Sequence, residues 1–434
     1  MYRPIESCRL CGSGKLETIL DLGMQSLTGI FPKTREEDVP AGPLQLLACG
    51  DCHLVQLAHN YDLGKLYGDT YGYRSGLNQS MVRHLRGKVA KILELVTLHP
   101  GDLVIDIGSN DSTLLQAYPS EGVTLMGVDP SGPKFRKYYP DHVGLIPDFF
   151  SFENVDRVLP GRRAKVVTSI AMFYDLEQPV DFVAGIVQIL DDEGVWVFEQ
   201  SYLPLMLETN SYDTVCHEHL EYYALAQIKR MTDRAGLKIV DVHCNDVNGG
   251  SFSITAAKRA ARYPEATTAI NAMLHAEDEL GLSGRAVFRE FEQRVARHRR
   301  DLLDLLNGLN RQGRKVLGYG ASTKGNVTIQ YCGITERQVP FIAEVNEDKF
   351  GAFTPGSKIP IISEADARAM KPDYFIVFPW HFRQGIVERE RAFLETGGRL
   401  IFPLPLIEIV TADGVLSAQR AVEEALAMPR REQV

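Results

Sequence analysis

From residue 79 onward, short apolar runs alternate with longer amphipathic segments. The runs LVIDIGS (103–109), LMGVD (125–129), GLIPDFF (144–150), VVTSIAMF (166–173) and VWVFEQSY (195–202) have the length of strands. Helical spacing lies between them, as in 179–190 with Phe182, Val183, Ile186 and Val187, and before them over 79–97. This alternation predicts a parallel α/β sheet. KIVDVHC (238–244) and SFSITAAK (251–258), joined through Asn248-Gly249-Gly250, predict an antiparallel hairpin at its edge. A charged amphipathic stretch over 264–311 predicts a long helical spacer. Then KVLGYG (315–320), PFIAEV (340–345), YFIVFPW (374–380) and RLIFPLP (399–405) predict a second, smaller doubly wound sheet. Residues 1–60 break the rhythm, with brief apolar stretches between Gly12, Gly14, Gly23 and Gly29. They read as short and irregular. The following segment, 61–76, is rich in Tyr and Gly, which suits either a lid or an aromatic packing cluster.

Composition narrows this frame. The chain has 434 residues, 44% hydrophobic and 24% charged, an ordinary globular balance for two to four domains. Its net charge of −9 leaves no basic surface large enough to follow a nucleic-acid backbone. Arg297-His298-Arg299-Arg300, the densest basic run, reads as a solvated helix face. No run reaches the ~18 apolar residues of a membrane helix, and the start of the chain lacks a leader pattern, so a soluble cytoplasmic protein is expected. Cys8-x-x-Cys11 and Cys49-x-x-Cys52 supply four soft ligands for a tetrahedral zinc ion. Four thiolates leave no open position, so the zinc should be structural and should hold residues 1–60 in place of a large core.

The loop Asp106-Ile107-Gly108-Ser109-Asn110 follows the first strand, where open α/β sheets bind ligands. Of the three glycines of a dinucleotide fingerprint only Gly108 is present, which argues against NAD. S-adenosylmethionine (SAM) suits the residues better. Asp106 can serve its ammonium, Gly108 and Asn110 form the loop, Asp129 can accept the ribose hydroxyls, and Asp148 with Phe149 can hold the adenine. The densest titratable cluster is Cys216-His217-Glu218-His219-Leu220-Glu221-Tyr222-Tyr223. It is not H-E-x-x-H, so a catalytic zinc is disfavoured. A histidine there can abstract a proton beside a carbonyl, and the enolate carbon can take a methyl from a sulfonium. Near the C-terminus, the turn 318–326 with Gly320, Ser322, Lys324 and Asn326 offers a pyrophosphate cradle at a helix N-terminus.

With D-I-G-S-N-D, E-Q-S-Y, H-E-H-L-E-Y-Y, N-G-G-S and G-Y-G-A-S-T-K-G-N in this order, the chain resembles the sugar C-methyltransferase family. These are SAM-dependent enzymes acting on nucleotide-linked 4-keto-6-deoxy sugars. The resemblance implies a class I SAM-methyltransferase Rossmann-like core (79–262) between a zinc-binding module (1–78) and a helical connector with a C-terminal Rossmann-like domain (263–434). It implies a nucleotide-diphosphate keto-sugar in the cleft, and a monomer or small homo-oligomer. His219 matches the general base for the C-3 proton and Glu218 a sugar-hydroxyl ligand. Tyr71 or Tyr73 matches an aromatic of the sugar site; from the same motif His217 is a second catalytic candidate beside His219, and Tyr222 a substrate-binding one. Two positions depart from the family: Cys216 stands where a tyrosine is frequent, and Ser112 where glycine is frequent. The first keeps open a different enolisable or hydroxyl substrate. A reading outside enzymes is a zinc-dependent binding module on a degenerate SAM fold.

Overall fold

The structure is a computed structural model that describes residues 2–62, 64, 73–417, 419, 420 and 423. Tyr67 and Tyr71 lie outside the described residues. The N-terminal part carries β1 (Tyr2–Pro4), β2 (Leu16–Ser26), β3 (Ala41–Cys49), β4 (Val55–Leu57) and β5 (His59–Tyr61). The irregular segment expected here is instead built on two long antiparallel strands. The register of β2 on β3 shifts twice, which blurs the period-2 pattern in the sequence. Gly23, at φ +76, sits in the second shift.

The central part holds the helix Gln79–Leu95 and then β6 (Leu103–Ile107), β7 (Thr124–Val128), β8 (Val143–Ile146), β9 (Ala164–Ile170), β10 (Leu190–Ser201), β11 (Glu221–Tyr222), β12 (Leu237–Asn245) and β13 (Ser251–Lys258). Seven of these strands form one sheet in the order β12-β13-β10-β9-β6-β7-β8. The five strands from β10 to β8 run parallel, and all five residues of β6 are buried, as a doubly covered sheet requires. β12 and β13 are the predicted edge hairpin. Their connection passes through Asn248, Gly249 and Gly250, all at positive φ. The third predicted strand stops at Ile146, before Pro147, which has no amide for the ladder. The loop after β6 leads into a 3-10 turn, Leu115–Ala117, in place of the expected helix. Ser112 is there at φ +63, a conformation that favours glycine.

The single spacer predicted over 264–311 is two helices, Thr267–Leu280 and Ala286–Arg311, separated where Gly281 ends the first at φ +76. Then follow β14 (Val316–Tyr319), β15 (Ile342–Glu344), β16 (Ile361–Ser363), β17 (Tyr374–Val377), β18 (Arg399–Phe402), β19 (Glu408–Thr411) and β20 (Gly414–Ser417). Their order is β16-β15-β14-β17-β18-β19-β20, so this sheet also has seven strands and is not the smaller one in strand number. The unpredicted β16, β19 and β20 have three or four residues each, too few to show a period.

β11 leaves the central part and joins the N-terminal sheet, pairing Glu221 with Gln56 and Tyr222 with Val55. One apolar core runs through all three parts, from Leu20, Leu44 and Leu57 to Trp196 and Phe198 and on to Leu317 and Phe375. The N-terminal module is therefore held by a core as well as by metal. Each buried leucine contributes about 1.5–3 kcal/mol, so a few of them approach the about 10–16 kcal/mol of a structural zinc. Among the described residues no helix is long and apolar enough to cross a membrane.

Candidate active site

The four paired cysteines converge. The Sγ atoms of Cys8, Cys11, Cys49 and Cys52 lie within 4.8 Å of one another, with 3.5 Å between Cys8 and Cys52 and between Cys11 and Cys49. Tetrahedral zinc with bonds of about 2.3 Å places its sulfurs about 3.8 Å apart, so the cluster fits a closed structural site. Inside the first knuckle sits Arg9. Its guanidinium donates to Leu57 O at 2.8 Å, His59 O at 3.2 Å and Leu220 O at 3.4 Å, and its Nε lies 3.6 Å from Glu221 Oε1. Both side chains are almost fully buried. The zinc knuckle is thus tied to the chain directly after His219.

A cavity of about 1210 Å³, counting its open mouth, lies at the carboxyl ends of β6 and β9, where the strand order reverses. Gly108 turns at φ +73, and a Cβ on it would stand 3.1 Å from Met172 Cγ. The Asn110 amide donates to Asp129 Oδ2 at 2.7 Å, while Asp129 Oδ1 accepts from Ser131. Burial pushes the Asp106 carboxyl up to about 7, against the pull of Thr168 Oγ1 at 2.6 Å. Phe149 lines the cavity, whereas Asp148 accepts its neighbour's amide and is not among the lining residues. Tyr73 stands half exposed at the rim, its carbonyl accepting from Asn110 Nδ2. Asp106, Asp129, Asp175, Glu177 and Glu199 line the cavity, and no Lys, Arg or His is among its described lining residues. Such a wall suits a ligand carrying an ammonium and a sulfonium.

His219 is not among the cavity's lining residues; its ring centroid is 4.1 Å from that of Tyr174. Its Nδ1 is 2.8 Å from Thr214 O. A carbonyl only accepts, so Nδ1 carries the proton and Nε2 keeps a lone pair. Burial, and next the charge of Lys324, push the ring down to about 3, so it is neutral at pH 7. Tyr222 donates to the same Thr214 O at 3.4 Å from a buried position, supporting the loop under His219 in place of the expected direct substrate role. Glu218 is buried, accepts from Thr28 Oγ1 at 3.5 Å, and fills the space left by the missing side chain of Gly29. Burial raises its carboxyl above the usual range. His217 turns away from His219. Its Nε2 meets Gly42 O at 3.3 Å and its ring packs edge-on against Tyr61, so it is a packing residue and not part of the expected catalytic pair. Cys216 is buried and its thiol is pushed up by burial, which fits a small filler.

The C-terminal turn comes to the same place. Lys324 Nζ donates to Asn248 O at 2.6 Å, and Asn326 Nδ2 donates to Thr28 O at 2.8 Å. Trp380 Nε1 donates to Asp213 Oδ2 at 2.8 Å. The expected pyrophosphate cradle is not open, however. The Ala321 amide is taken by Glu344 Oε2 at 2.9 Å and the Gly325 amide by Ser322 Oγ at 3.0 Å. Gly320, at φ +82, abuts Pro379.

Three family profiles match in order: a zinc binding domain over 8–67, a methyltransferase domain over 81–242, and a C-methyltransferase C-terminal domain over 246–405. C-methyltransferase NovU of Streptomyces niveus is 32% identical over 421 residues, covering 96% of this chain and 99% of that protein. The chain belongs to the C-methyltransferase family. Two solved methyltransferases share 15–16% identity with it: CcbJ of Streptomyces caelestis (TM-score 0.32, 41% of this chain and 90% of that one) and magnesium protoporphyrin IX methyltransferase ChlM of Synechocystis PCC 6803 with bound SAH (TM-score 0.32, 45% and 92%). Likenesses at that score do not bear on function.

This C-methyltransferase is a SAM-dependent enzyme with the class I fold, and the acidic cavity is where its residues fit that cofactor. Its wall also contains a group that strand-end reasoning missed. Glu199 Oε1 accepts from His84 Nε2 at 2.6 Å and Oε2 meets Lys88 Nζ at 2.8 Å and Asn245 Nδ2 at 2.7 Å. Burial works against its charge, but His84 and Lys88 outweigh it and bring the carboxyl down to about 2. The only sequence signal was the i, i+4 spacing of His84 and Lys88 on one helix face. Arg9 and Glu221 were missed in the same way, although a charged residue inside an apolar knuckle and another beside Leu220 were visible.

Proposed function

We propose that this C-methyltransferase acts on a nucleotide-linked 4-keto-deoxysugar and methylates C-3, the carbon beside the ketone. The observation that carries the reading is His219. Its Nδ1 is held on Thr214 O, which leaves the lone pair on Nε2; Lys324 acts on its ring, and its neighbour Glu218 meets Gly29 beside Thr323. Bound SAM, held by Asp106, Gly108, Asn110, Asp129 and Phe149, supplies an electrophilic methyl group. His219 Nε2 takes the C-3 proton, and as a neutral imidazole it does so without first losing one. Glu218, kept from ionising easily by burial, offers a carboxyl to a sugar hydroxyl, with Tyr73 at the entrance. In this reading the chain divides at 1–78, 79–262 and 263–434, and the sugar lies where the three parts meet. Incubation with SAM and a panel of dTDP-, UDP- and GDP-linked 4-keto-6-deoxyhexoses, followed by mass spectrometry, tests it: a product one methylene heavier supports it, and no product across the panel ends it. Cys216, a weak donor where the family often has a phenol, favours a second reading in which another enolisable ketone is the substrate. NMR location of the new methyl separates the two.

A further inference from the structure

Lys324 stands where a cation is poorly accommodated. It is the second residue of the ten-residue helix Thr323–Cys332, at the end where the helix dipole disfavours positive charge. Its ammonium donates to a neutral carbonyl, Asn248 O at 2.6 Å, and no ion pair within 4.0 Å is formed to it among the described residues. The carboxylate that acts on it, Asp213, is held by Trp380 Nε1. The ammonium is nevertheless kept in place at the edge of two sites. Asn248 lines the cofactor cavity, and the charge of Lys324 reaches His219. A phosphate role is poorly served here, because Glu344 and Ser322 already occupy the amides of Ala321 and Gly325.

We propose that Lys324 is a catalytic residue whose ammonium receives the oxyanion that develops on the substrate ketone as His219 Nε2 removes the neighbouring proton. The proposal rests on the keto-sugar reading above. In the step, the C–H bond breaks, its electron pair forms the carbon–carbon double bond, the carbonyl π pair moves onto oxygen, and the proton ends on His219. The total charge is unchanged: a neutral imidazole becomes a cation and a neutral ketone becomes an anion beside an ammonium already present. An ammonium that burial destabilises, and whose carboxylate Asp213 is held by Trp380 with no direct ion pair, gains most from such an oxyanion, because that stabilisation appears only in the transition state and the enolate.

The test separates proton removal from methyl transfer. With a dTDP-linked 4-keto-6-deoxyglucose in deuterium oxide and no SAM, the wild-type enzyme is expected to exchange the proton beside the ketone, read by NMR. Lys324→Met should slow exchange by about 10²–10³-fold, with dTDP and SAM affinities by calorimetry unchanged within about threefold. Lys324→Arg should restore part of the exchange, which a loss of folding would not allow. Exchange that survives Lys324→Met overturns the proposal alone, and so does a variant that exchanges normally at saturation but no longer binds dTDP, since that marks a phosphate ligand. A wild-type enzyme that binds SAM but neither exchanges nor methylates any dTDP-, UDP- or GDP-linked keto sugar overturns the sugar reading and this proposal with it.

Discussion

In the central sheet the loop after β6 turns through Gly108 at φ +73 and gives the Asn110 amide to Asp129, just past the end of β7. In the C-terminal sheet the loop after β14 turns through Gly320 at φ +82 and gives the Ala321 amide to Glu344 at the end of β15. Both loops lie where the strand order reverses, between β6 and β9 and between β14 and β17. What lies above them differs. Past Gly108 is a cavity walled by Phe149, Met172 and carboxylates. Past Gly320 is protein: Pro379 packs on the glycine, Lys349 Nζ donates to Ala321 O at 2.7 Å, and the same ammonium sits over the Phe31 ring at 4.3 Å. The same local turn borders an open cavity in one sheet and is a packed joint in the other. The covering groups decide which, and they come from other parts of the chain.

The largest effect is expected at the seam between the two sheets. His219→Asn should lower turnover by about 10²–10⁴-fold while SAM affinity by calorimetry stays unchanged; normal turnover would remove His219 as the base. Next come the two glycines. Gly108→Val places a side chain at positive φ against Met172 and should weaken SAM binding by at least about 10²-fold. Gly320→Val meets Pro379 and should lower the Tm but leave the SAM Kd within about threefold. Equal losses of SAM affinity would break the contrast between site and joint.

Arg9→Met asks whether the zinc module is an independent clip or part of the same core. It strips the buried carbonyls of Leu57, His59 and Leu220 of their donor, beside a Glu221 that burial already pushes well above its usual range, and a loss of about 3–5 kcal/mol in urea unfolding is expected, with four thiolates still able to hold zinc. A loss under about 1 kcal/mol, the scale of an exposed ion pair, would show the module to be separable.

The smallest effect distinguishes the two histidines of one motif. Burial holds His217 at about 4, below its ordinary 6.5, so it is neutral when folded and takes up a proton when unfolded. Its contribution is full above 6.5 and is lost as pH falls toward 4. At pH 5 the loss is about 2 kcal/mol. His217→Gln should therefore lose less stability than wild type between pH 7 and 5; equal losses would mean that His217 does not titrate with folding.

These comparisons also mark what was legible. The buried runs of β6 to β10, the hairpin β12–β13 and the acids at the ends of β6 and β7 are local patterns legible in the sequence, although β8 stops four residues short of its apolar run and β10 starts five residues before its own. β11 is not, because two residues carry no period and their partners Val55 and Gln56 lie far back in the chain. Glu199 is legible as the end of a strand, but its partner His84 is 115 residues away. The open cradle expected at 318–326 failed for a related reason: its glycines were visible, and the carboxylate of Glu344 that closes it was not attributable.

The sequence by itself determined the periodicities that make two α/β sheets, the two cysteine knuckles, and a carboxyl set between two imidazoles in H-E-H. Tertiary structure alone decided that His219 packs on Tyr174 under the charge of Lys324 while His217 packs on Tyr61. It also decided that Thr214 O leaves Nε2 as the nitrogen with the lone pair, and that Lys324 donates to Asn248 O while Asp213 acts on it without a direct ion pair. The physical reason is the range of the interactions. Strand and helix patterns depend on neighbours a few residues away. Whether a buried polar group is already satisfied depends on donors and acceptors brought from anywhere in the chain, and that decides what remains for a ligand.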